Sequence, residues 1–202
     1  MKIFRLSAAL ILAAVMLLSS SCGAGSDGDV PTGMKKIEMD IDDYSFFVPQ
    51  GWTEDLATGV ASAYLPDNSN VSVMTIRLDK DTPDIDSYWK KTEEDFKSTF
   101  GTGFEYVGEN PQNVLFGGVD ARKYVYTASV TGTEYKFMQV VCMRQSSTLL
   151  QSYSYAYVFT YTAETDKFDG HLDDVEDMLA NFRFNDGKNE RSDGASDSAD
   201  AE

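Results

Sequence analysis

The longest patterned stretch of the chain decides its fold class. Val119 to Val130, the turn Thr131-Gly132-Thr133, Glu134 to Arg144 and then Leu149 to Thr162 alternate as strands do. The links between them are too short for a crossover helix, so these strands must pair antiparallel as a meander. An earlier group behaves the same way. Tyr44-Ser45-Phe46-Phe47-Val48 stops at Pro49-Gln50-Gly51, Ala61 to Leu65 stops at Pro66-Asp67-Asn68, and Val71 to Ile76 follows at hairpin distance.

Two segments switch to the helical period. Ile85, Tyr88, Trp89, Thr92, Phe96 and Phe100 recur at steps of three and four, after Pro83 and Asp84 and before Gly101. Leu172, Val175, Met178, Leu179 and Phe182 form a second stripe, with Asp173, Asp174 and Glu176 in its first turn, where carboxylates favour the helix dipole. The expected class is α+β: a twisted antiparallel sheet of about six to seven strands flanked by two main helices. No internal repeat is visible.

The order of these elements carries a resemblance. An aromatic strand into Val48-Pro49-Gln50-Gly51-Trp52, a hairpin through Asp67-Asn68-Ser69-Asn70, a helix, a three-stranded meander and a last helix ending Asn181-Phe182-Arg183-Phe184 together resemble the PsbP-like domains. That superfamily includes an extrinsic subunit of photosystem II, a nuclear-import factor that binds the GTPase Ran, and many bacterial lipoproteins. The resemblance implies a domain that binds other proteins and has few established enzymes among its relatives.

The N-terminus has the layout of a secretory signal: Lys2 and Arg5, an apolar run from Leu6 to Leu18, then Ser19-Ser20-Ser21 before Cys22. The apolar run is about a dozen residues, short of the roughly 20 that cross a bilayer as a helix, so cleavage fits better than a permanent anchor. The cleavage region resembles a bacterial lipobox, with Leu18 one place further out than usual. It implies diacylglycerol on Cys22, and two acyl chains suffice for stable anchoring. Residues 1–21 are therefore expected to be a lipoprotein signal peptide, 22–34 a lipidated tether, 35–184 the folded domain and 185–202 a disordered acidic tail. The expected location is the outer face of the cell membrane.

Thirty-three acidic against 17 basic residues give a formal charge of −16, and loss of Lys2 and Arg5 lowers that by two, to −18. Such a surface repels nucleic acid and anionic headgroups, so contact with the membrane should come through the lipid. The expected partner is an envelope protein.

Chemistry is limited by what the chain lacks. Of the two cysteines, an acylated Cys22 leaves Cys142 unpaired, in the apolar run Phe137 to Met143 with Met138 and Val140 on its face. A buried, inert thiol is expected. His171 is the only histidine and stands at the start of the last helix, so a nucleophile–histidine pair or a His/Cys zinc site has little to draw on. No glycine loop suited to phosphate is present, and no cofactor is expected. Asp79-Lys80-Asp81-Thr82-Pro83-Asp84-Ile85-Asp86 is the best acidic cluster, but it lacks the glycine and distal glutamate of a calcium loop, and helix capping explains it.

The last strand offers two readings. Tyr153, Tyr155, Tyr157, Phe159 and Tyr161 share one face, and Ser152, Ser154, Ala156, Val158 and Thr160 the other. The aromatic face is either core or, through Tyr153, Tyr155, Tyr157 and Tyr161, a binding surface. Core has the stronger argument, because the helices must cover something. The expected function is a membrane-anchored, non-catalytic interaction module, with a solute- or calcium-binding accessory and a carboxylate-based hydrolase as alternatives.

Labelling cells with radioactive palmitate checks the anchor. Label should enter the wild-type protein and be absent from Cys22→Ala; equal labelling of the two forms would place the acyl group elsewhere.

Overall fold

The computed structural model describes residues 30–38, 43–55, 60–79, 82–147 and 152–185. In chain order the elements are β1 (Met34–Lys36), β2 (Tyr44–Ser45), β3 (Phe47–Pro49), β4 (Thr53–Glu54), β5 (Ala61–Tyr64), β6 (Asn70–Arg77), α1 (Ile85–Phe100), β7 (Glu105–Tyr106), β8 (Gln112–Phe116), β9 (Val119–Val130), β10 (Thr133–Ser147), β11 (Ser152–Glu164), α2 (Leu172–Asn181) and β12 (Arg183–Phe184). Eight of the strands form one antiparallel sheet in the order β4-β5-β6-β11-β10-β9-β7, with β8 also on β9. β1 pairs with β3, and β12 with β2, as two small ribbons outside that sheet.

The meander supplies the centre. Phe159 of β11 lies between Val140 of β10 and Val73 of β6, so three strands bring large side chains to one row of one face. That face also holds Val71, Tyr157 and Tyr161, and it is covered by Phe46, Phe47 and Val48 from the β1–β3 region, by Val175 and Met178 of α2, and by Phe182. The opposite face presents Tyr124, Tyr126, Val141, Ala156 and Val158, and α1 covers it through Trp89. The Trp89 and Tyr124 rings stack with centroids 3.5 Å apart and 7° between planes. Of the small face of the last strand, Ala156 and Val158 pack in this second cluster.

Local chemistry explains the helix ends. Asp84 caps α1 by accepting the backbone N–H of Ser87 at 2.7 Å. Gly101 stops it with φ +57°, a backbone conformation a side chain would oppose. The stripe read from the sequence is the one turned to the sheet, with Trp89 buried and the rest half-buried, and its limits, Ile85 and Phe100, are those of the helix.

Three features differ from expectation. The sheet has eight strands: β4 and β7 are two residues long, too short to show a period, and β8 carries the unbroken apolar run Val114-Leu115-Phe116 with Leu115 exposed, which hides its alternation. The strand expected over Tyr44 to Val48 breaks at Phe46 and lies across the sheet, not within it. Neighbouring strand residues point opposite ways, so burying both Phe46 and Phe47 needs cover on two sides. The sheet gives one side, where Phe46 meets Phe159 edge-on. Finally, α2 ends at Asn181, and Phe182 turns down into the core as its cap.

Phe159 is fully buried and touches Phe46 and Phe116 at aromatic distances. Phe159→Ala should therefore cost about 3–5 kcal/mol, read from the shift of the urea midpoint. A loss below about 1 kcal/mol would mean that this face is not the core.

Candidate functional site

His171, the only histidine, is built into a latch. The β5–β6 hairpin turns at Asn68 with φ +70°, and Asp67 accepts the Ser69 backbone N–H at 3.0 Å. This tip lies against the start of α2, where His171 Nε2 donates to Asp67 Oδ2 at 2.9 Å. Trp52 Nε1 donates to Asp174 Oδ2 at 2.7 Å, and the Trp52 and His171 rings meet edge-on at 6.1 Å. The Pro-Gln-Gly-Trp turn, the Asp-Asn-Ser-Asn hairpin and the last helix thus converge at one place. Partial burial raises the Asp67 pKa, but hydrogen bonds from His171 and Ser69 and the nearby imidazole outweigh it and hold the carboxyl at about 2.

Cys142 is fully buried in the cluster that contains Met138 and Val140. Burial pushes its thiol up to about 12 against a smaller opposing effect of Arg144, so it stays protonated and unreactive at neutral pH.

The tyrosine row is divided. Tyr157 and Tyr161 are 4% and 0% exposed, and α2 with the β1–β3 region lies over them. Their hydroxyls donate inward, Tyr161 to the Phe168 carbonyl at 2.8 Å and Tyr157 to Asp43 Oδ2 at 3.2 Å. Burial raises both phenol pKa values. A binding surface made of all four tyrosines is therefore closed at two of them. Tyr153 and Tyr155 remain half-buried, with the Arg77 guanidinium 4.0 Å over the Tyr153 ring.

In the acidic loop, Lys80 and Asp81 lie outside the described residues, Asp79 is exposed, and Asp84 is the cap of α1. Among the described residues no group of three or more His, Cys, Asp or Glu is placed to hold a metal ion. Hydrogen bonds from Ser87 lower the Asp84 pKa, the opposite of what a general acid requires.

What the sequence did not indicate is a cavity of about 560 Å³ beside that cap. Pro83, Asp84, Ile85 and Asp86 form its wall, and Asn113, Asp120, Arg122 and Met143 line its floor on β8, β9 and β10. Register brings these together: Arg122 pairs with Asn113 on one side and Val141 on the other. Asp120 and Arg122 are two residues apart on one strand and so share a face. No local pattern connects four segments this far apart in the chain.

No family model matches the chain, and no curated protein sequence matches it. Among solved structures, PsbP (CyanoP) from Synechocystis sp. PCC 6803 is similar with a TM-score of 0.51 at 14% identity, covering 81% of this chain and 98% of that one. LpqN of Mycobacterium tuberculosis, a protein involved in cell envelope biogenesis, has a TM-score of 0.41 at 14% identity over 78% of this chain and 82% of its own. A protein of Bacteroides thetaiotaomicron VPI-5482 has a TM-score of 0.41 at 16% identity over 70% and 44%. The likeness to CyanoP shows that the fold is PsbP-like, as the order of elements implied.

The latch makes stability depend on acid. The Asp67 pKa is depressed in the fold, so its contribution is complete above the ordinary value of 3.8 and is lost as pH falls through about 2. Asp67→Asn should flatten the pH dependence of the urea midpoint between those values while leaving other acid-induced losses. An unchanged profile would show that the latch contributes nothing to stability.

Proposed function

We propose that this protein is a non-catalytic binding module held at the outer face of the cell membrane by lipid on Cys22. One observation carries the non-catalytic part: both side chains best suited to covalent or acid–base work are committed to structure. The Cys142 thiol is sealed in the core, and the His171 imidazole is bonded to Asp67 at the hairpin latch. The signal-like N-terminus and the cysteine after its serines support the location. No helix among the described residues is long and apolar enough to cross a membrane.

An envelope protein is the leading partner. Tyr153 and Tyr155, with Arg77 stacked on the first, supply the aromatic and arginine surface that protein recognition favours. A second reading, an accessory that binds a small solute, is supported by the cavity at the start of α1.

A pull-down from detergent-solubilised membranes tests the leading reading. The lipidated protein should retain one stoichiometric envelope protein, and a Tyr153→Ala/Tyr155→Ala form with an unshifted urea midpoint should lose it. Retention of that partner by the folded double variant would exclude the tyrosines as the contact.

A further inference from the structure

We propose that the cavity between the start of α1 and the β8–β9–β10 floor binds a small zwitterion bearing an ammonium and a carboxylate, of the amino-acid or dipeptide class. This deepens the solute-binding reading and rests on it.

The charges in the cavity are of both signs. Arg122 and Asp120 lie about 7 Å apart along one face of β9, yet they make no ion pair. Among the described residues, the side chains of Asp86, Asn113, Asp120 and Arg122 have no hydrogen bond or ion pair. Asp84, the third carboxylate, is committed to the α1 cap. One guanidinium, two carboxylates and one amide are therefore left facing a space whose volume is typical of small-molecule sites.

The sign pattern selects the ligand. A purely cationic ligand meets Arg122, a purely anionic one meets Asp86 and Asp120, and a neutral one leaves all three charges without a counterpart. A ligand with both groups can give its carboxylate to the Arg122 fork and its ammonium to the aspartates through charge-assisted hydrogen bonds. Ile85 and Met143, on the same wall and floor, offer apolar surface to a side chain. The floor beside Arg122 is rigid, because Tyr124 is 2% exposed and stacked under Trp89. Burial raises the Tyr124 pKa, Asp86 adds to the effect and Arg122 opposes it, so both charges act on the same point of the face.

The test is a titration of the full-length mature protein with L-leucyl-L-alanine, followed by calorimetry and by backbone amide NMR. Saturable binding is expected, with shifts concentrated at Asp86, Asn113 and Arg122. N-acetylation of the dipeptide or amidation of its carboxylate should each weaken binding about tenfold or more. Arg122→Gln should no longer distinguish the dipeptide from its amide, and Asp86→Asn/Asp120→Asn should no longer distinguish it from the N-acetyl form. Amide spectra of the variants establish that they remain folded. No saturable binding below about 10 mM would overturn the proposal. So would indifference to either cap, or an Arg122→Gln form that keeps its preference for the free carboxylate. A protein that recovers its envelope partner but ignores the dipeptide loses this proposal and keeps the interaction module.

Discussion

The central strands β9, β10 and β11 carry large apolar side chains on both faces, and everything else in the molecule is placed by the need to keep both faces from water. Tyr157, Phe159 and Tyr161 point one way from β11, and Ala156 and Val158 the other. A buried large side chain is worth roughly 1.5–3 kcal/mol, so neither face can be left bare. α1 answers one face with Trp89 and Phe96, and α2 answers the other together with β1–β3 and Phe182. The central strands are thus covered on both sides, where antiparallel sheets commonly leave one face to water, and that accounts for the density of aromatic contacts.

That cover is incomplete for a geometric reason. A 16-residue helix is about 24 Å long, whereas a 15-residue strand spans about 50 Å. At any crossing angle α1 leaves part of its face exposed. The cavity lined by Asp86, Asp120 and Arg122 sits where the cover begins, and a second opening, lined by Ser62, Tyr64, Ser72 and Met74, lies on β5 and β6 beyond it. The openings of this fold lie at the margins of the helix, while the residues that looked most reactive, His171 and Cys142, are spent on holding the layers together.

Much of the fold was legible. The helical stripe from Ile85 to Phe100, the three long strands and the buried Cys142 follow from alternation and period, which are local properties. β8 and the break at Phe46 were not legible. The first has an exposed leucine, Leu115, between Val114 and Phe116, which breaks the alternation, and the second answers to what lies above and below it. Of the candidate site residues, Cys22 lies outside the described residues, and the row of tyrosines could be assigned to one face but not to core or surface.

The sequence by itself determined which residues share a strand face or a helix stripe, because side-chain direction repeats every two or 3.6 residues whatever surrounds the element. Only the tertiary structure decided which faces are covered. It set Trp52 on Asp174 across 122 residues and His171 on Asp67 across 104. It closed Tyr157 and Tyr161 while leaving Tyr153 and Tyr155 in reach, and it assembled the cavity from four separate segments. Such pairings depend on how layers pack, and packing joins surfaces whose residues lie far apart in the chain.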